Sequence, residues 1–249
     1  MKKEKRYNRI LIFSLLYYPD SRVGAKRFGN LIKFFTEKFD AVHILTIPIK
    51  KIPAKDPSLL PKGEIHRVAM FPPYPIEKNS FTKKVFSYLW VNYFCLIDPY
   101  SGWIVPAVLK AIKVIKKNKI DVIIATAPPF SVLFAAAIAS VLTQKKLILD
   151  YRDPWSNHPN KFPKFFGKFL NRIFEQITIR IASGAVFCSK IMMKNFICCF
   201  GLKNSFKCHV ITNGYHDIEK ALKAEKINQY KKTMLFAGNL YGGRNIGII

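Results

Sequence analysis

The sequence predicts an α/β protein built on a parallel sheet flanked by helices. Three observations predict it. Residues 9–46 run strand, loop, helix, strand; residues 121–150 repeat strand, turn, helix, strand; and the wholly apolar run Leu147–Leu149 leads straight into Asp150-Tyr151-Arg152-Asp153-Pro154-Trp155. A short apolar run without alternation reads as a strand buried on both faces of a parallel sheet. Strands and helices alternating in this order imply right-handed crossovers. Open α/β sheets bind ligands beyond the carboxyl ends of their strands. Two acids, a guanidinium and an indole are therefore delivered to the edge where function is usually built. The plainer alternative is a structural Asp-Arg ion pair at a strand end.

Taken in order, residues 9–16 are the first strand and Tyr17–Gly24 a loop. Phe28, Leu31, Ile32 and Phe35 recur at helical spacing within a helix over Ala25–Lys38, and Ala41–Thr46 is the next strand. Gly24, at the first strand-to-helix turn, sits among Arg22, Lys26 and Arg27. Such a glycine can admit a phosphate close to a helix N-terminus, or simply make a turn. No GxGxxG pattern is present, so a dinucleotide fingerprint is absent. Residues 47–85 are rich in Pro and Lys, with one short strand expected near Ile65–Ala69. The aromatic-dense stretch Phe86–Phe94 reads as core packing or as a lipid or ligand contact.

Asp98–Trp103 forms a turn into a helix over Trp103–Lys117, whose lysines make a wet face. Asp121–Thr126 is a buried strand, Ala127–Ser131 a turn, and Val132–Leu142 a helix of small residues. After the strand ending at Asp150, Phe162–Ala182 forms a long helix. Its apolar residues, Phe162, Phe165, Phe166, Phe169, Leu170, Ile173, Phe174 and Ile177, are flanked by Lys161, Lys164, Lys168, Arg172 and Arg180. That pattern suits either a helix docked on the sheet with a basic flank or one lying on an anionic membrane. Strand Gly184–Cys188, a helix from Ser189 and strand His209–Ile211 follow, and Asn213-Gly214 is a turn. Residues 216–232 read as an interdomain linker, and strand Thr233–Ala237 runs into the glycine-rich Gly238–Arg244. The division is thus 1–215, 216–232 and 233–249, the last being the start of a second, truncated α/β domain.

The net charge of +26 on 249 residues seeks phosphates or an acidic membrane face. No RNA- or DNA-binding motif supports nucleic acid as the partner. The basic start Met1–Arg6 before Ile10–Leu16 mimics a signal peptide, but Tyr17-Tyr18-Pro19-Asp20 follows instead of a small-residue cleavage site. No apolar run reaches the ~18 residues a membrane span needs. The five cysteines, Cys95, Cys188, Cys198, Cys199 and Cys208, show no CxxC spacing and read as free thiols of a reducing cytoplasm. A zinc site from Cys198, Cys199, Cys208 and His209 is the weaker reading.

Several of these segments resemble the bacterial glycosyltransferases of family 4. Tyr17–Arg27 looks like that family's first loop; Asp98–Trp103 and Thr126–Ser131 look like two further segments. Leu149–Trp155 is close to its D-[FYL]-R-D-P-W pattern, the most specific match. Ala185–Ser189, Val210–Gly214 and Phe236–Arg244 follow in the family's order. The resemblance implies the N-terminal half of a GT-B fold: a Rossmann-like, acceptor-side domain with the C-terminal domain truncated. It implies sugar transfer from a nucleotide diphosphate-sugar to a lipid-linked or polysaccharide acceptor, with retention, in cell-surface glycan biosynthesis. No cofactor or metal is expected. A cytoplasmic location, peripheral on the inner face of the membrane, is implied.

By the same resemblance Asp150, Arg152 and Asp153 are the catalytic candidates. An Asp would touch sugar or acceptor, with Arg152 as its charge partner. Gly24, Arg27, Trp155, Gly238 and Arg244 are the substrate-binding candidates, Arg244 as a cation beside the donor diphosphate. The family's donor-loop Lys and its E-x7-E pair would lie past Ile249, so the chain is expected to be inactive by itself. The alternatives are a non-enzymatic basic membrane- or anion-binding module and, less well matched by DYRDPW, a GT-B epimerase.

Overall fold

The computed structural model of the protein describes residues 8–49, 62–71, 97–156, 165–202 and 206–214. Seven parallel strands form one sheet in the order β3-β2-β1-β4-β5-β6-β7. They are β1 (Arg9–Phe13), β2 (Ala41–Thr46), β3 (Glu64–Arg67), β4 (Val122–Ala127), β5 (Lys146–Tyr151), β6 (Gly184–Phe187) and β7 (Lys207–Val210). The helices are α1 (Val23–Lys38), α2 (Ile104–Asn118), α3 (Ser131–Thr143), α4 (Phe165–Ile181) and α5 (Lys190–Phe200). Every described strand and helix expected from the sequence is present, with ends shifted by a few residues. The sequence-based segments Phe86–Phe94, 216–232 and Thr233–Arg244 lie outside the described residues.

The period of two along each strand splits the core between the two sheet faces. Ile10, Ile12, Val42, Ile44, Val122 and Ile124 pack with Phe28 and Ile32 of α1. Leu11, Phe13, Leu45, Ile123, Ala125, Leu147, Leu149 and Phe187 face the other way. There they meet Ala107, Ala111 and Val114 of α2 and the alanines of α3. The small residues Ala135, Ala136, Ala137 and Ala139 let α3 lie close to the strands. The sheet's amino edge is tied by Asp121, whose carboxylate accepts the N–H groups of Asn8 and Arg9.

Strand order reverses between β1 and β4, so their carboxyl ends open a crevice between two diverging crossovers. The first loop bordering it, between β1 and α1, is tightly held. Tyr17 donates its hydroxyl to Lys62 O, and Arg67 donates to Tyr18 O and Ile47 O. Burial pushes the Tyr17 phenol up to about 12. Asp20, fully buried, accepts the backbone N–H and the guanidinium of Arg22.

Candidate functional site

On β4 and β5 the rows facing α1 end in polar groups: Val122 and Ile124 give way to Thr126, and Ile148 to Asp150. Thr126 and Asp150 are register partners, and the Thr126 hydroxyl donates to Asp150 Oδ2 at 2.7 Å. Arg27 reaches this pair from α1, where it lies next to the core residue Phe28. Its Nη2 donates to Asp150 Oδ1 at 2.8 Å and its Nε to both carboxylate oxygens at 3.1 Å. Nη1 donates to Asn213 Oδ1, and Nη2 also donates to Ile211 O, beyond β7. Both residues are buried, at 6% and 4% exposure. One ion pair thus ties α1, β4, β5 and the segment after β7.

Two expectations change here. Asp150 is engaged by Arg27, not by Arg152, and its oxygens are saturated within the fold. Arg27 for the same reason is not a free cation at the crevice. The sequence could not show this, because the pair is 123 residues apart.

Arg152 has a different task. Its guanidinium donates to Gly24 O at 2.7 Å, to Ala127 O at 3.2 Å and to Pro128 O, and its own N–H donates to Ala127 O. One cation therefore fastens the first turn of α1 to the turns at the ends of β4 and β5, at the reversal of strand order. Burial lowers its pKa, an effect opposed by the carboxylates of Asp150 and Asp153. Gly24 suits this contact: a Cβ there would lie 2.5 Å from Leu16 Cδ1 and 2.9 Å from Arg152 Nη1, so both side-chain tips would have to shift. Asp153 comes next along the chain and is exposed. Of the three catalytic candidates it is the acid with its carboxylate at the surface.

Trp155, expected at the ligand, lies 1% exposed in the core. Its ring stacks on Phe130 with centroids 5.3 Å apart, and Nε1 donates to Asn171 Oδ1 at 2.7 Å. The neighbouring Ser156 donates its N–H and hydroxyl to Glu175. Asn171 and Glu175 belong to α4, and with Thr178 they are buried. The helix therefore turns a polar edge inward to hold the Trp155-Ser156 turn. Phe169, Ile173 and Ile177 are left 54%, 37% and 40% exposed, beside the exposed Lys168, Arg172 and Arg180. This reverses the docked-stripe reading for these three residues. Their i, i+4, i+8 spacing is helical, but spacing does not say which face meets the sheet.

The N-terminus of α3 opens on the same crevice and is filled from within. Asp98, buried, accepts the Ser131 N–H at 2.9 Å and the Tyr100 N–H at 2.9 Å. Burial raises the Asp98 pKa, and these hydrogen bonds counter it. An internal carboxylate thus takes the position where an anion would dock.

Glu175 supplies a pH-dependent term. Burial holds its pKa up at about 7 against 4.5, although the Ser156 hydrogen bonds pull it down. The folded state therefore keeps the proton to higher pH than the unfolded chain. The penalty is absent below the unfolded pKa and grows until pH passes the folded one, costing up to about 3 kcal/mol. Glu175→Gln is expected to gain stability relative to the native protein between about pH 5 and about pH 8, measured by urea unfolding. An identical pH profile for the two proteins would mean that Glu175 titrates as it does in water.

A parallel sheet with a polar crevice where strand order reverses defines a Rossmann-like α/β fold. The chain belongs to Glycosyltransferase Family 4, whose family model matches residues 64–217. In shape it is similar to Phytolacca americana UGT2 complexed with UDP-2fluoro-glucose and pterostilbene. That match has a TM-score of 0.51 and 9% identity, covering 88% of this chain and 57% of that one. It is also similar to Anabaena Alr3699/HepE in complex with UDP-glucose (TM-score 0.49, 16% identity, 83% and 44% covered). Acinetobacter baumannii MurG is a further match (TM-score 0.40, 14% identity, 86% and 47% covered). The chain spans about half the length of these structures. No curated protein sequence matches it significantly.

Proposed function

We propose that this chain is the acceptor-side domain of a sugar transferase. The reaction moves a sugar from a nucleotide diphosphate-sugar, with retention, to a lipid-linked or polysaccharide acceptor used in cell-surface glycan synthesis. The observation that supports it is the exposed Asp153, at the carboxyl end of β5 and one residue past the Arg152 clamp. An exposed carboxylate there can accept hydrogen bonds from acceptor or sugar hydroxyl groups. Arg152 positions it by fixing the first turn of α1 to the turns at the ends of β4 and β5. Gly24 keeps the backbone low beside that guanidinium. Arg27, Asp150 and Trp155 act through the fold rather than by touching substrate. Gly238 and Arg244, outside the described residues, are assigned to the donor diphosphate, where a guanidinium offsets charge on the leaving group. No metal is assigned to this site.

The same proposal places the chain on the inner face of the cell membrane. Its support is the outward stripe Phe169, Ile173 and Ile177 with Lys168 and Arg180, on a chain of net charge +26. Among the described residues no helix is long and apolar enough to cross a membrane.

One vesicle-flotation experiment tests both halves. The chain is mixed with neutral vesicles, anionic vesicles, and anionic vesicles carrying a polyprenyl diphosphate-sugar. Binding is expected on anionic vesicles, weakening with salt, and rising further with the acceptor lipid. Asp153→Asn should remove only that rise, whereas Phe169→Ser with Ile173→Ser should lower binding to every anionic vesicle. If the acceptor lipid adds nothing for the native chain, the transferase assignment fails and a basic membrane-binding module is what remains.

A further inference from the structure

At the opposite side of the sheet from β5, edge strand β3 pairs with β2 so that His43 stands across from Glu64. His66, two residues on, falls on the same strand face as Glu64. His43 Nδ1 and His66 Nε2 are 3.1 Å apart and share a hydrogen bond. Glu64 Oε2 lies 3.3 Å from the first nitrogen, and Oε1 lies 3.5 Å from the second. Both imidazoles are largely buried, with side chains 5% and 11% exposed, and the carboxylate, 61% exposed, closes the group toward solvent. Among the described residues this is the group of His, Cys and acidic side chains compact enough to share a metal.

We propose that His43, Glu64 and His66 bind one divalent transition-metal ion of the Zn²⁺ class, clipping edge strand β3 onto β2. The donor set is two imidazoles and one carboxylate, which suits borderline ions and leaves a fourth position for water. The spacing is compatible. At bond lengths of about 2.0–2.1 Å, tetrahedral ligand atoms stand roughly 3.3 Å apart. The two nitrogens are 3.1 Å apart, each has its nearer carboxylate oxygen at 3.3 or 3.5 Å, and one ligand atom from each of the three residues lies within 4.8 Å of the others. The ion would take the place of the proton now shared between the two rings. Burial lowers the pKa of both histidines, so both rings are neutral near neutral pH. Binding then needs a tautomer change in one ring.

The neighbouring charges bear on affinity. Lys110 and Lys117 of α2 act on His66, and Arg9 acts on His43, while Glu64 supplies the site's one negative charge. These cations weaken the site without removing a ligand. The structural benefit falls on β3, a strand of four residues that, among the described residues, is paired on one side only. Its arginine, Arg67, anchors the first crevice loop through Tyr18 O. The clip would therefore stabilise a wall of the crevice from a distance.

The test is titration of the chelator-treated chain with Zn²⁺ by calorimetry and with Co²⁺ by absorption, each with thermal unfolding. One equivalent should bind, with a Co²⁺ spectrum free of thiolate charge transfer and a higher melting temperature. Mg²⁺ should not compete. Glu64→Gln, at an exposed position that leaves the core untouched, should weaken binding by about 10-fold or more, and His66→Gln by as much or more; loss of an outer partner of a metal ligand already costs ~10–100-fold. Unchanged binding in both variants, or a thiolate band, would move the ion to the cysteines and overturn the proposal. So would the lack of any saturable Zn²⁺ binding by the native chain.

Discussion

Arg27→Met is expected to cost about 3–5 kcal/mol of folding stability, because it leaves the Asp150 carboxylate buried without its cation. The side chains of the pair are only 4% and 5% exposed, so water cannot replace the guanidinium. Asn213 Oδ1 and Ile211 O lose their donor in the same step. A domain of this size has a total stability of roughly 5–15 kcal/mol, so the single change approaches unfolding. Pairing it with Asp150→Asn removes the stranded charge and leaves a carbonyl for the Thr126 hydroxyl. The double variant is expected to recover about half of the loss. Urea unfolding of both proteins measures this. A loss below about 1 kcal/mol for Arg27→Met would show that the pair contributes little beyond its own desolvation.

Trp155→Ala should cost a similar amount, about 3–5 kcal/mol, by cavity formation and loss of burial. The indole stacks on Phe130, which precedes α3, and bonds Asn171 of α4. Its removal therefore loosens the contact between two helices as well as the turn after β5. Asp153→Ala, two residues earlier and exposed, should leave stability within about 0.5 kcal/mol. The contrast separates a residue that builds the crevice from one that stands exposed at its edge. Equal and small losses for both would put the indole at the surface and return it to the substrate-binding candidates.

The sequence already carried the α/β order, the strand β5 with its polar terminus, and the importance of the Asp150–Trp155 segment. These are local matters. An apolar run bounded by polar residues marks a buried strand, and helical spacing marks a helix, whatever the partners are. The role of each residue in that segment was less legible. Asp150, Arg152, Asp153 and Trp155 stand side by side in the chain, yet the fold sends each to a different neighbour. Strand alternation turns Asp150 toward α1 and Arg27. The bend after Tyr151 swings Arg152 onto the carbonyls of Gly24, Ala127 and Pro128. Trp155 falls under Phe130, and Asp153 is left outside.

The same limit applies to α4 and to the edge cluster. Periodicity showed that Phe169, Ile173 and Ile177 share a face, but left open whether that face meets the sheet or an anionic membrane. The buried hydrogen bonds of Asn171 and Glu175 to Trp155 and Ser156 turned that face away from the sheet. Glu64 and His66 have the alternation that would place them on one strand face, and only the β2–β3 register brings them to His43. What the sequence by itself determined is which segments are strands and helices, because that depends on residues a few positions apart. Which polar groups meet was decided by the tertiary structure alone. Charges and hydrogen bonds act through space over a few ångströms, and the folded sheet sets those distances between residues as many as 186 positions apart.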